Sequence, residues 1–207
     1  MQQSLFNTDK NILPCLGEAI LYPCFFSAGE SDQYLGLLTN EIKWKQEPIK
    51  LFGKEMMQPR LTAWYGDADK KYSYSGITMQ PQPWTQSLLQ IKKRIETIAR
   101  VNFTSALLNF YRDGNDSMGW HRDNEMELGI NPVIGSVSFG AARTFQLRNY
   151  IEKDKAISVD LTHGSFLLMK EETQHHWEHR LPKTNKKIGS RINITFRVIL
   201  PVPARGA

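Results

Sequence analysis

The sequence predicts a mainly β, α+β chain, an antiparallel sandwich or barrel in its second half buttressed by helices from its first. Three observations carry this. After residue 100 short alternating segments follow one another, "TSALLNFYR", "IGSVSFG", "ARTFQLRN", "AISVDL", "SFLLMK" and "RINITFRVIL", with turn-rich pieces such as "DGNDS" and "THGS" between them. Strands this short and this regularly spaced suit a sandwich or barrel. Before residue 100 two stretches carry helical periodicity instead, and 207 residues at 41% hydrophobic suffice for one well-buried core.

The N-terminal "MQQSLFNTDKNILPC" has no charged n-region followed by an apolar core, which argues against export. No apolar run reaches bilayer length, so no membrane partner is expected. Cys15 and Cys24 form no metal-finger or redox spacing, and a reduced, cytosolic chain is the simplest expectation. A net charge of +5 favours an anionic partner, weakly. The first helix is expected at 31–42, with Tyr34, Leu37, Leu38 and Ile42 on one stripe. The second, "PWTQSLLQIKKRIETIAR", places Trp84, Leu88, Ile91, Ile95 and Ile98 at steps of four and three, with Pro83 suited to its start.

The last strand is the most informative. Ile192, Ile194, Phe196 and Val198 alternate with Arg191, Asn193, Thr195 and Arg197. Alternate residues of a strand point to opposite faces, so the four polar side chains share one side. A solvated outer face explains this, and so does a polar cavity whose guanidinium groups hold a small dianion. Asn109 and Tyr111 in "NFYR" likewise share a face.

The stretch "GWHRDNE" raises a metal question. Iron(II) oxygenases bind their metal with two histidines and a carboxylate, leaving three positions open. His121 and Asp123, two residues apart, would lie on one strand face. A third ligand must come from another strand, with His163, His175, His176 and His179 as candidates, the last just before a turn. A bare H-x-D is weak on its own, and zinc is a competing metal.

Taken together, "HRDNE", a histidine in "HHWEHRLP", the terminal "RINITFR" and "LLNFYRDG" resemble the AlkB family of iron(II)- and 2-oxoglutarate-dependent dioxygenases. The likeness runs from about Leu51 to Val198 and is closest to the branch that repairs double-stranded DNA. It implies a double-stranded β-helix (jelly-roll) core, with 1–50 as an N-terminal extension packing on a dioxygenase domain at 51–207. It implies His121, Asp123 and His179 as iron ligands, with His175 and His176 outside the set. Arg191, helped by Tyr111, would take the distal carboxylate of 2-oxoglutarate through a bidentate contact. Arg197 and Asn109 would serve the 2-oxo acid end, with Asn193 and Thr195 lining the pocket. Six residues of flat strand separate the two arginines by roughly 20 Å, so bend and long side chains must bring them together.

On the substrate side, "KLFGKEMMQPR" resembles a DNA-probing hairpin. Phe52 falls at the place of an aromatic wedge that fills the gap left by a flipped base, with Gly53 in the turn, Lys54 on a phosphate and Arg60 near the opposite strand. Tyr72, Ser73 and Tyr74 fall where the family sandwiches the damaged base. Glu125 would favour cationic N1-methyladenine and N3-methylcytosine. Asn124 stands where that branch has an acid, and only Lys183, Lys186 and Lys187 remain of its basic loop. The implied reaction is oxidative demethylation of alkylated, double-stranded DNA by a monomer using Fe(II), 2-oxoglutarate and O2, in the cytoplasm, nucleoid or nucleus. Two rivals stand beside it, an RNA or single-stranded-DNA demethylase and a non-catalytic nucleic-acid-binding barrel.

Overall fold

The computed structural model describes residues 10–51, 54–68, 72–74, 77–79, 81–153 and 155–200. The first strand, β1 (Glu18–Tyr22), leads into helix α1 (Ala28–Glu41). That helix starts three residues before its expected position because Ser27 and Glu30 close a capping box, each side chain meeting the other's backbone N–H. Its buried stripe also differs. Leu38 and the following Ile42 are buried, but Leu37 is exposed, and Ser31 occupies the inward place instead.

A hairpin of β2 (Pro48–Leu51) and β3 (Lys54–Met57) precedes β4 (Leu61–Gly66), and a second hairpin joins β5 (Tyr72–Tyr74) to β6 (Ile77–Met79). Helix α2 (Gln86–Ala99) follows, its first turn capped by the Thr85 hydroxyl accepting the Leu88 N–H. Leu88, Ile91 and Ile95 are fully buried, as their spacing predicts. Ala99 continues the stripe, and Ile98 is 37% exposed.

The remaining strands are β7 (Ser105–Tyr111), β8 (Met118–His121), β9 (Ile134–Gly140), β10 (Arg143–Asn149), β11 (Ile157–Leu161) and β12 (Ser165–Lys170). A one-turn helix, α3 (Thr173–His176), then separates β12 from β13 (Trp177–Leu181), and β14 (Arg191–Arg197) closes the fold. They form a six-stranded sheet, β1-β12-β9-β14-β7-β4, and a four-stranded sheet, β11-β10-β13-β8. Every pairing in the two is antiparallel. This is the expected jelly roll, with one addition: β1, inside the expected N-terminal extension, is an edge strand of the larger sheet.

Period-two alternation assigns each face of the larger sheet. Ile192, Ile194 and Phe196 of β14 pack with Leu88, Ile91 and Ile95 of α2 in one apolar cluster. A second cluster fills the space between the sheets, joining Ala19, Ile134 and Leu167 to Leu147, Leu161 and Trp177. Arg191, Asn193, Thr195 and Arg197 therefore point between the sheets, so the polar face of β14 lines a cavity and not bulk solvent.

Candidate metal centre and co-substrate pocket

The antiparallel pairing of β8 with β13 sets His121 directly opposite His179. Their rings meet edge to face with centroids 4.3 Å apart. Asp123 follows in the loop after β8, so the expectation that it shares the strand with His121 is corrected: the strand ends at the histidine. His179 lies in the middle of β13, not beside a turn. One ligand atom from each of His121, Asp123 and His179 lies within 4.8 Å of the others.

The protonation states suit a cation. His121 Nδ1 is 2.9 Å from the Gly119 carbonyl, so Nδ1 carries the proton and Nε2 keeps its lone pair. Burial, reinforced by the neighbouring His121, pulls His179 down to about 3, so its ring is neutral. Its Nδ1 is buried without a hydrogen-bond partner. Burial acts to raise the Asp123 carboxyl, but the Arg197 guanidinium, 2.6 Å away, overcomes this and holds it at about 2. Two neutral imidazoles and one carboxylate form the facial set that leaves half an octahedron open on Fe(II). The donor set fits.

The other histidines are engaged elsewhere. His163 Nδ1 accepts the Gly140 N–H at 2.8 Å, and its Nε2 lies 3.2 Å from Asp32. His175 Nε2 lies 3.0 Å from the Asn131 side-chain oxygen, and His176 faces Glu172 at 3.7 Å.

Asn109, Tyr111, Arg191, Asn193, Thr195 and Arg197 line the same cavity as the three ligands. Arg191 is 2% exposed, donates to the Ser138 hydroxyl at 2.9 Å, and lies 5.2 Å from the Tyr111 ring. Burial pulls it down to about 10, and its Nε has no hydrogen-bond partner. A buried cation lining a pocket, with no acidic partner among the described residues, suits an incoming carboxylate. Asn193 is held by the Ser136 hydroxyl at 2.8 Å, and Thr195 donates to Asn193 at 3.2 Å. The two arginines stand at opposite ends of β14 and line the same cavity, Arg191 on the Ser138 hydroxyl and Arg197 on Asp123.

Sequence reasoning missed Ser136 and Ser138, although "IGSVSFG" places both on one face. It also missed Gln174, whose side-chain oxygen accepts the Asp123 N–H at 2.9 Å, and Arg143, which lies buried and donates to the Asp116 and Pro182 carbonyls. No local pattern announces either.

The substrate-side expectations fare unevenly. Phe52 and Gly53 lie outside the described residues, as do the side chains of Lys54 and of Tyr72, Ser73 and Tyr74, whose backbones belong to β3 and β5. Arg60 turns inward. It is 7% exposed and its Nε donates to Asn109 at 2.7 Å, so in this structure it supports the pocket and does not reach outward to a strand. Asn124 is exposed. Glu125 is half-buried, with one carboxylate oxygen enclosed and without a hydrogen-bond partner. Lys183, Lys186 and Lys187 are exposed.

A jelly roll that carries a two-histidine, one-carboxylate site beside a buried arginine defines the class of non-haem iron oxygenases. Residues 18–197 match the 2OG-Fe(II) oxygenase superfamily. The chain is 43% identical to the alpha-ketoglutarate-dependent dioxygenase alkB homolog 3 of Mus musculus, covering 90% of this chain and 68% of that protein. It is 37% identical to the DNA oxidative demethylase ALKBH2 of Bos taurus, covering 89% of this chain and 70% of that protein. The solved structure of OsALKBH1 superposes with a TM-score of 0.63 at 18% identity, covering 86% of this chain and 97% of that one, a likeness of fold. The chain belongs to the AlkB family of Fe(II)- and 2-oxoglutarate-dependent dioxygenases.

Proposed function

We propose that this enzyme oxidatively demethylates N1-methyladenine and N3-methylcytosine in DNA, with a preference for duplex substrate. The observation that carries this reading is a two-histidine, one-carboxylate group within a chain that aligns across 89% of its length with a DNA oxidative demethylase. Fe(II), held by His121, Asp123 and His179, would activate O2 for the coupled reaction, one oxygen atom passing to succinate as 2-oxoglutarate loses CO2 and the other to the N-methyl carbon. Arg191, with Ser138 and Tyr111 beside it, anchors the distal carboxylate. Asn109, Asn193 and Thr195 line the pocket between the two ends, and Arg197 secures Asp123. The product hemiaminal breaks its C–N bond unaided, giving formaldehyde and the restored base, while the co-substrate leaves as succinate and CO2.

Two features support a cationic lesion in a duplex. Glu125, two residues beyond Asp123, carries an enclosed carboxylate oxygen with no internal partner, and a methylated base bearing positive charge would supply one. The β2–β3 hairpin stands as a two-stranded sheet of its own with Met56 and Met57 exposed, a form suited to probing a helix. The proposed enzyme acts as a monomer in a compartment that holds DNA. Among the described residues no helix is long and apolar enough to cross a membrane.

Formaldehyde release from matched N1-methyladenine oligonucleotides, single- and double-stranded, tests the proposal. Turnover on both forms with Phe52→Ala losing about tenfold more kcat/KM on the duplex is expected, since stacking is worth about 1–3 kcal/mol per base. Equal losses on both forms would remove the preference for duplex substrate. Succinate formation without any demethylation of DNA would sink the DNA reading.

A further inference from the structure

The metal ligands come from an unpromising place. β8 is an edge strand of the smaller sheet, four residues long, paired among the described residues with β13 alone and across an irregular register. Ladder bonds alone hold such a strand loosely, yet His121 must meet His179 within fractions of an ångström. The opposite face of the same strand carries an answer.

Trp120 points away from the metal, and the guanidinium carbons of Arg148 and Arg180 lie over its ring at 4.1 and 4.5 Å. Arg148 comes from β10 and Arg180 from β13, so one indole ties three strands together behind the histidines. Both arginines are themselves held, Arg148 on Glu178 at 2.5 Å and Arg180 on Gln146 at 2.7 Å. Two residues on, Arg122 repeats the device. It lies over the Tyr150 ring at 3.6 Å and donates to the His175 carbonyl at 2.9 Å. The stretch therefore alternates anchor and ligand: Trp120 outward, His121 inward, Arg122 outward, Asp123 inward.

We propose that Trp120 and Arg122 are positioning residues of the metal centre, fixing His121 and Asp123 through cation–π contacts on the reverse face of the smaller sheet. The proposal concerns the metal alone and is independent of which nucleic acid the enzyme acts on. Residues that orient metal ligands typically change metal affinity 10- to 100-fold when removed. An aromatic ring of another size keeps the attraction for a guanidinium, whereas an aliphatic side chain abolishes it.

Titration of the metal-free protein with Co(II), followed by its visible absorption, tests this. Trp120→Leu should weaken Co(II) about tenfold and alter the ligand-field bands, while Trp120→Tyr should restore affinity to within about threefold of wild type. Tyr150→Leu removes the ring beneath Arg122, touches no ligand and should also weaken Co(II), with the circular dichroism of the fold unchanged. A folded Trp120→Leu that binds Co(II) with native affinity and spectrum would overturn the proposal. So would a Trp120→Tyr variant as weak as Trp120→Leu, which would mean plain packing. If Trp120→Leu fails to fold, Tyr150→Leu decides: weakened Co(II) supports the proposal and native affinity overturns it. Loss of oligonucleotide affinity with unchanged Co(II) binding would assign this face to nucleic acid and overturn it as well.

Discussion

Replacing Arg197 with methionine keeps the length of the side chain and removes its charge. In the structure its Nη2 lies 2.6 Å from Asp123 Oδ1, and each side chain is 4% exposed. Breaking a pair this buried costs about 3–5 kcal/mol, because the remaining charge has neither water nor a partner. At about 2–4 °C per kcal/mol for a chain of this size, the metal-free variant should melt roughly 6–20 °C below wild type. A divalent cation bound by Asp123 replaces the missing counter-charge. Saturating Mn(II) should therefore raise the Tm of Arg197→Met by more than it raises that of wild type. Thermal circular dichroism at pH 7, with and without metal, measures both quantities. A loss below about 1 kcal/mol, or an equal metal-induced gain in the two proteins, would refute the reasoning, since Arg197 would then act on the co-substrate and not on the aspartate.

Arg191→Lys should raise the KM for 2-oxoglutarate at least about tenfold with kcat at saturation less affected, because a point charge cannot reproduce a bidentate fork. Unchanged co-substrate dependence in succinate assays would remove Arg191 from the pocket. His179→Ala should lose metal and formaldehyde release together, while His176→Ala, facing Glu172 and no metal ligand, keeps both. Metal content measured on each variant checks this. The metal-free protein should also weaken in acid. His179 is held at about 3 against 6.5 in an open chain, so the unfolded state takes up its proton first. That contribution is intact above pH 6.5 and lost as pH falls toward 3, at no more than about 1.4 kcal/mol per unit. Asp123, lowered from 3.8 to about 2, adds stability that is present above 3.8 and lost as pH falls toward 2. Urea denaturation between pH 7 and 5 should show the histidine slope, and His179→Ala should reduce it while His121, also lowered, keeps its part.

Much of the fold was legible because its strands alternate. Strands β9 and β12 coincide with "IGSVSFG" and "SFLLMK", and the other alternating segments fall within a few residues of their strands. Strands β1 and β4 escaped because "EAILY" and "LTAWYG" carry apolar residues on both sides and show no period. Strand β13 escaped because its inward side chain at the centre is a histidine, which hides the apolar alternation of "WEHRL". On the site, pattern placed Arg191, Asn193, Thr195 and Arg197 on one face but could not say whether water or a second sheet lay opposite. That depends on contacts far apart in sequence, such as Arg197 with Asp123 at a separation of 74 residues, and likeness to a family supplied it. Neither source revealed that Arg60 turns inward onto Asn109, or that Arg197 answers to Asp123, because a long side chain's direction is set by the acceptors it finds.

The two halves of the site are built into sheet regions of unequal security. Arg191, Asn193 and Asn109 lie on β14 and β7, and Ser136 and Ser138 on β9, three adjacent strands bonded on both edges inside the larger sheet. Among the described residues, the strand that carries His121 is bonded on one edge only. Native-state opening proceeds from such edges inward, in separable cooperative units. Amides of β14 should thus exchange with deuterium only when the whole chain unfolds, whereas those of β8 exchange through local fraying. The enzyme is accordingly a vessel whose rim loosens before its floor. Opening of β8 should therefore release His121 from the metal site while the cavity-lining residues of β14, β7 and β9 stay in place.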